Sequence, residues 1–530
     1  MKKKQDLFQL IKSLSKSEKR YFKLFSAFHT IGDKNNYVKL FEVIEKQDEY
    51  DEEAIIRIFR KENFIKRLPV TRDYLYNLIL RSLHYYHSNN SIDTKLKDML
   101  HYADILYKKE LYQQCERILI KAKKIAGYYE NYLRLYEIFK ITRQVMAAKA
   151  YYGKTEKEIS NFYKEGYDVL EKLKNTTDYM QLSSKLHLKI QKHGIIRKAE
   201  ELTLIKDIIE HPLLKKEENA LSFDAKRWLY NIHHAYTLAI GDLENCYRNS
   251  KKEMILFESF IEKQSDNKEG YVISLSNHLI SCLRTKRAKE FTFYLKKLKS
   301  IAENIKTNIK SAYYATIISR LYTHQTAFFI ATGQFKKGVI SIGSIEEKIT
   351  ALKDKIKKGA LLNLYFNIAY LYFGAGKYKS ALSSLNKILN YPETNTREDI
   401  HSFTRIFLLI IHYELGNIEL LAYTVKSTYR FLYKRNRLHQ IETIILKYIR
   451  KDMPKINDQE KLIVALSKLR SQLKAVSDNN YIEKRAMEYY FDIIAWLDSK
   501  ILNKSFEEVV KEKFDTSSKQ FLKQSAIGKK

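Results

Sequence analysis

The sequence predicts an all-α protein: an α-α superhelix, a solenoid of helical hairpins behind an N-terminal helical domain. Three observations predict it. Apolar residues recur three and four apart over most of the chain, as in Tyr378, Ala381, Leu382, Leu385, Ile388 and Leu389. Only 4 Pro and 15 Gly occur in 530 residues, which favours long helices with short turns over sandwiches and barrels. Glycines also punctuate the apolar stretches at Gly241, Gly333, Gly376 and Gly416, where a helix end needs a left-handed residue. A chain of this length outgrows one compact core, and stacking in one dimension is a way to bury its apolar faces.

Residues 1–90 form the N-terminal domain or cap. Ser15 and Glu18 have capping-box spacing before a helix carrying Tyr21, Phe22, Leu24, Phe25 and Phe28. A second helix holds Tyr37, Leu40, Phe41, Val43 and Ile44. The acidic turn Asp48–Glu53 leads into a third with Ile55, Ile56, Ile58 and Phe59, where carboxylates suit the helix start. Pro69 or Thr71 opens a fourth, through Leu75, Leu78, Ile79 and Leu83. The first 30 residues carry eight Lys or Arg against two acids, a charge a DNA groove would attract. Against DNA binding, the most basic helix is also the most aromatic and the next segment is acidic.

Residues 95–455 carry the hairpins. The first pairs Met99, Leu100, Ala103, Leu106 and Tyr107 with Tyr112, Cys115, Leu119 and Ala122. Residues 128–225 read as helical but poorly periodic, with a break at His211-Pro212. A register of small or apolar residues then recurs at Cys246, Phe291, Gly338, Ala381 and Leu421, spaced 45, 47, 43 and 40 apart. The turn glycines follow the same register, except that the Phe291 hairpin has Lys286 instead.

The stretch Leu361–Pro392 is the clearest unit. Its first helix holds Leu361, Leu362, Leu364, Phe366, Ile368, Ala369 and Leu371; Gly374 and Gly376 break it; the second starts near Tyr378. Tyr365, Ile368, Ala369, Tyr372, Gly376, Tyr378, Ala381 and Leu385 fall where the tetratricopeptide repeat has its signature, and the stretch resembles one such repeat. Ala369 replaces the usual glycine, Pro392 lies one place from the closing proline, and the long spacings depart from the family's 34 residues. The resemblance implies a TPR-like solenoid whose first helices line a groove that holds a partner's peptide segment.

Residues 456–514 read as C-terminal capping helices, with Trp496, Ile493, Ile494 and Leu497 on one face, and 515–530 as a mobile basic tail. No window has the run of about 18 apolar residues that a membrane helix needs. The basic N-terminus lacks the apolar core of a signal peptide. Cys115, Cys246 and Cys282 give no disulfide framework, which fits a reducing, cytoplasmic setting.

No catalytic constellation is readable, so the chain reads as a non-enzyme without cofactor or metal. Gly374-Ala375-Gly376-Lys377 fails as a phosphate loop, because Leu371 and Tyr378 stand where glycine and Ser or Thr are required. His84 and His87 lie three apart without a third ligand, and adjacent His233 and His234 face different ways.

The formal charge of +33 with a pI near 9.6 would draw polyanions, while lysines spread among abundant Glu also fit solvated helix faces. Lys426–Lys455 is the densest basic segment, nine Lys or Arg against two acids, with Tyr429, Phe431, Tyr433 and Tyr448 interleaved. That pattern suits single-stranded nucleic acid, and helical spacing of the rings equally suits a buried stripe, which is the favoured reading.

The leading expectation is a scaffold for a protein or peptide, with a nucleic-acid-associated or regulatory role as the alternative. Carried onto this sequence, the tetratricopeptide groove positions are Asn363, Phe366, Asn367 and Tyr370, then Arg320, Thr323 and His324, then Asn277 and Arg284. Asn can pair with a peptide backbone and Arg can clamp a carboxylate.

Overall fold

The computed structural model describes residues 2–28, 36–87, 91–193, 199–260, 262–263, 267–305, 311–391, 397–456, 458–479, 483, 487 and 491–527. Among these residues every regular element is helical. The chain divides into two compact units, Met1–Leu173 and Lys174–Lys530.

The first unit begins with α1 (Lys2–Ser13), α2 (Lys16–Phe28), α3 (Asn36–Lys46), α4 (Glu52–Ile58) and α5 (Leu68–His87). Their core is Leu7, Ile11, Phe22, Leu40, Phe41, Ile44, Ile55, Leu75 and Ile79, with Leu83 packed against it. The capping box forms as expected: Glu18 Oε2 accepts from the Ser15 amide at 2.7 Å, and Ser15 Oγ accepts from the Glu18 amide. Asp51 Oδ1 caps α4 by accepting from the Ala54 amide. Helix α1 is an addition to the expected four. Leu7, Ile11 and Leu14 do have helical spacing, and all are buried, but lysines flank them closely.

Next come α6 (Ile92–Lys108) and α7 (Tyr112–Tyr128), the expected first hairpin, then α8 (Tyr132–Ala148) and α9 (Glu156–His193). Cys115 is fully buried and its thiol donates to the Ala103 carbonyl, so it fills a small slot between α6 and α7. Gly166 admits the Phe139 ring, which would sit 2.6 Å from an added Cβ. The unit boundary falls inside α9, at 38 residues the longest described helix, which explains why repeat periodicity fades after residue 128.

The second unit contains α10 (Ala199–Ile209) and five hairpins: α11 (Phe223–Ile240) with α12 (Leu243–Ser259), α13 (Lys268–Arg284) with α14 (Ala288–Asn304), α15 (Ala312–Ala331) with α16 (Phe335–Leu352), α17 (Lys358–Gly374) with α18 (Tyr378–Leu389), and α19 (Glu398–Glu414) with α20 (Ile418–Lys434). Successive helices pack in chain order, and the first helices of neighbouring hairpins also touch from α13 to α19. The register residues Cys246, Phe291, Gly338, Ala381 and Leu421 are all buried.

One turn geometry repeats. Gly333, Gly376, Gly416 and Lys286 have φ of 65, 74, 69 and 59°, and the residue after each donates back five positions to a carbonyl of the ending helix. Arg287 N→Cys282 O, Gln334 N→Phe329 O, Lys377 N→Tyr372 O and Asn417 N→His412 O span 2.8–3.0 Å, a Schellman closure at each of these four turns. Lys286 therefore stands in the glycine position at some conformational cost. Pro392 lies outside the described residues.

After α20 come α21 (Gln440–Lys447), a π-helical turn Tyr448–Asp452, α22 (Gln459–Asn479), α23 (Ile493–Ile501) and α24 (Phe506–Ile527). This segment folds back on the hairpins. Trp496 Nε1 and Lys500 Nζ donate to Glu414 at 2.6 and 2.7 Å, and the Asp492 amide donates to Tyr370 Oη. Phe491 stacks on Phe407 with ring centres 4.4 Å apart, and Phe506 lies 5.5 Å from Phe335. Helix α24 then crosses the hairpin turns: a Cβ on Gly333 would meet the Glu507 carbonyl at 2.9 Å, and Ser518 Oγ donates to the Lys286 carbonyl. Residues 515–527, expected as a mobile tail, lie in this helix; 528–530 are outside the described residues. No described helix is long and apolar enough to cross a membrane.

Candidate partner-binding face

The first helices α11, α13, α15 and α17 carry polar residues on the side that meets their neighbours, and these set a parallel register. His234 Nε2 meets Ser281 Oγ at 3.1 Å, Ser276 Oγ meets His324 Nε2 at 2.5 Å, and Asn367 Nδ2 donates to Thr326 Oγ1 at 3.0 Å. Each pair lies 41–48 residues apart, about one hairpin.

The nine residues carried over from the tetratricopeptide groove separate into three groups. His324, Phe366 and Tyr370 are only 5, 2 and 6% exposed. His324 is spent on Ser276; Phe366 and Tyr370 pack against Phe407, and Phe491 also covers Tyr370. A groove that offers those three rings to a partner is therefore not what the structure shows. Their local pattern is compatible with a groove, but the C-terminal segment that covers Tyr370 stands more than a hundred residues away. Asn367 is half-buried and commits its amide to Thr326.

Asn277, Arg320, Thr323, Asn363 and Arg284 keep partial exposure. The contact of Asn367 with the Thr323 carbonyl puts Arg320 at about the height of Asn363 on the adjacent helix. The register of Ser276 with His324 puts Arg284 level with Thr332, roughly 18 Å along the axis from Arg320, so Arg284 belongs to a different place. The side chains of Asn277, Arg320 and Asn363 have no hydrogen-bond or ion-pair partner among the described residues. Arg320 is unusual among these. Burial alone lowers its pKa from the ordinary guanidinium value, since no carboxylate stands beside it to raise it.

Sequence reading missed a second cluster, whose local signal is His278 and Cys282 four apart on α13. With Glu290 of α14 they form a compact His–Cys–Glu group. His278 Nδ1 meets Ser250 Oγ at 3.0 Å, and its Nε2 meets Glu290 Oε1 at 3.2 Å, a Ser–His–Glu order. Ser250 and His278 are fully buried, so no substrate reaches them. Burial pushes the Glu290 carboxyl up, but hydrogen bonds from His278, Lys251 and Tyr247 outweigh it and hold it at about 2. Those three donors crowd the oxygens a cation would need, and burial raises the Cys282 thiol, so the group fits a structural tie better than a metal centre. His84 and His87 face Asp98 and Glu18 respectively, and His233 and His234 face the Leu214 carbonyl and Ser281.

The basic segment behaves differently from its expected buried stripe. Tyr448 is buried and Phe431 lies under the Arg405 and Arg435 guanidinium groups, but Tyr429 and Tyr433 face solvent. In the N-terminal unit Lys19 and Lys23 of α2 pair with Glu45 and Glu42, which reduces the charge available to a DNA groove.

No family model and no curated protein matches the sequence.

Proposed function

We propose that the chain is a non-catalytic scaffold, a TPR-like solenoid in its second unit, that holds a carboxylate-bearing peptide against Arg320 and Asn363. The observation that carries this reading is the Arg320 guanidinium: largely desolvated, level with an unoccupied Asn363, and without an anion of its own. A buried guanidinium costs free energy unless a carboxylate meets its forked donors. A peptide acid group would supply that partner, and Asn363 and Asn277 would pair with peptide amides. Three unpaired, buried cysteines suit a reducing compartment such as the cytoplasm.

A phage-displayed random peptide library panned on the full chain tests this. Peptides sharing an Asp, a Glu or a free C-terminus, bound at least tenfold more weakly by R320A and N363A, are expected. Enriched peptides that bind R320A as tightly as the parent, in variants with unchanged circular dichroism, would remove the assignment.

A further inference from the structure

We propose that the outward face of α20 is a binding site for single-stranded nucleic acid, separate from the peptide site on the first helices. Helix α20 buries Leu421, Thr424, Val425, Thr428 and Leu432. Its opposite face presents Tyr423, Lys426, Tyr429, Arg430, Tyr433 and Lys434, all exposed. Tyr423 and Tyr433 are 73 and 67% exposed, far more than packing of an aromatic ring would leave. Tyr429 and Tyr433 lie within 10° of parallel, with centroids 6.0 Å apart, so their ring faces share one orientation.

The cations are equally unspent. Lys426, Arg430 and Lys434 have no ion pair among the described residues, and Glu419 is the single acid in the helix. Nearby Arg435 and Arg437 contrast with them, since both pair with Glu398 and so serve the fold. Four-residue spacing raises each cation about 6 Å above the last, so a strand laid along the helix meets one per turn.

This combination selects the ligand class. Free cations meet phosphates, and exposed rings stack on unpaired bases, as single-strand binders do. A duplex already stacks its bases internally and gains nothing from the rings. Acyl chains do not use parallel ring faces, and each ring here carries a hydroxyl.

The test is fluorescence anisotropy with labelled oligo(dT) and oligo(U) at low salt, beside a duplex of the same length and phosphatidylserine-containing vesicles. The single strands are expected to bind best. Y429A/Y433A should weaken binding about tenfold or more. K426A/R430A/K434A should weaken it and flatten the logarithmic salt slope by about 2. The charge-matched control K296A/K336A/K337A, at exposed lysines on other helices, should stay within about twofold of the parent. An equal loss in that control overturns the site in favour of diffuse charge. So does a duplex or a vesicle bound as tightly as the single strand, or no oligonucleotide binding at all. Peptide binding by R320A and oligonucleotide binding by Y429A/Y433A are separate readouts, so failure of one proposal leaves the other standing.

Discussion

The early and late hairpins of the second unit share a turn geometry but are tied by different chemistry. From α11 to α15 the joints combine ring contacts, Phe257 with Tyr271 and Phe291 with Phe328, with buried polar ties: His234 with Ser281, Ser250 with His278 and Glu290, Ser274 with Glu253, Ser276 with His324. From α16 to α20 they are aromatic, with Phe335, Tyr370, Phe373, Phe407, Phe491 and Phe506 in one contact set. The difference teaches that hairpin stacking fixes the backbone and leaves the joint free to vary. A polar joint specifies register and responds to pH, whereas an aromatic joint supplies burial and does not.

The largest effect is expected at the aromatic joint. Phe407 is 1% exposed and touches Phe366, Tyr370, Phe373 and Phe491. F407A should cost about 3–5 kcal/mol in urea unfolding, by about the same amount at pH 5 and pH 8. A loss below about 1 kcal/mol would break the contrast.

The polar joints should weaken in acid. Burial, with repulsion from His278, depresses His234 to about 4; burial, with repulsion from Arg320, depresses His324 to about 3. Below the unfolded value near 6.5 the unfolded chain takes up protons that the folded one refuses, so stability falls as pH drops from about 6.5 towards 4. At pH 5 each histidine should contribute a loss of about 2 kcal/mol relative to pH 7. Hydrogen exchange resolved by peptide should show the larger loss in α11–α15 and a smaller one at α19, where burial also lowers the His412 pKa; uniform loss would falsify the division.

Glu253 runs the other way and sharpens the same point. It is fully buried, accepts from Ser274 Oγ at 2.7 Å, and its Oε2 has no partner. Burial raises its carboxyl to about 7, against the small pull of the Ser274 bond. Its stability contribution is therefore complete below about pH 4 and is lost as pH rises through 7. E253Q should stabilise the early hairpins by about 1–3 kcal/mol more at pH 8 than at pH 5. Melting curves at both values decide it: an equal shift at each would mean the carboxyl never ionises there.

Hairpin boundaries were legible because they depend on local signals. The glycine spacing located the left-handed turns, and Lys286 was found only because the register demanded a turn there. Cys115 and Cys246 read correctly as small buried residues for the same reason. The C-terminal fold-back was not legible, since nothing in the sequence around Tyr370 records that Phe491 and Phe506 will arrive there. Tyr429 and Tyr433 were ambiguous for another reason: a helix with apolar residues on both sides satisfies the same period whether a given ring faces in or out. Of the groove, the sequence indicated which residues lie on first helices, not which ones their neighbours would use.

Arg320 offers the smallest and most informative change. Were it an ordinary structural residue, its removal would destabilise the hairpins, as loss of a hydrogen-bonded group does. Without any partner it contributes little beyond the packing of its stem, while its desolvated charge opposes folding. R320L should therefore raise the urea midpoint slightly, by an amount equivalent to about 0.5–1 kcal/mol, and abolish capture of acidic peptides. A variant that is more stable but does not bind is the signature of a position held for a ligand rather than for the fold. A clear loss of stability in R320L would instead assign Arg320 to the polar joints, alongside His324 on the same helix.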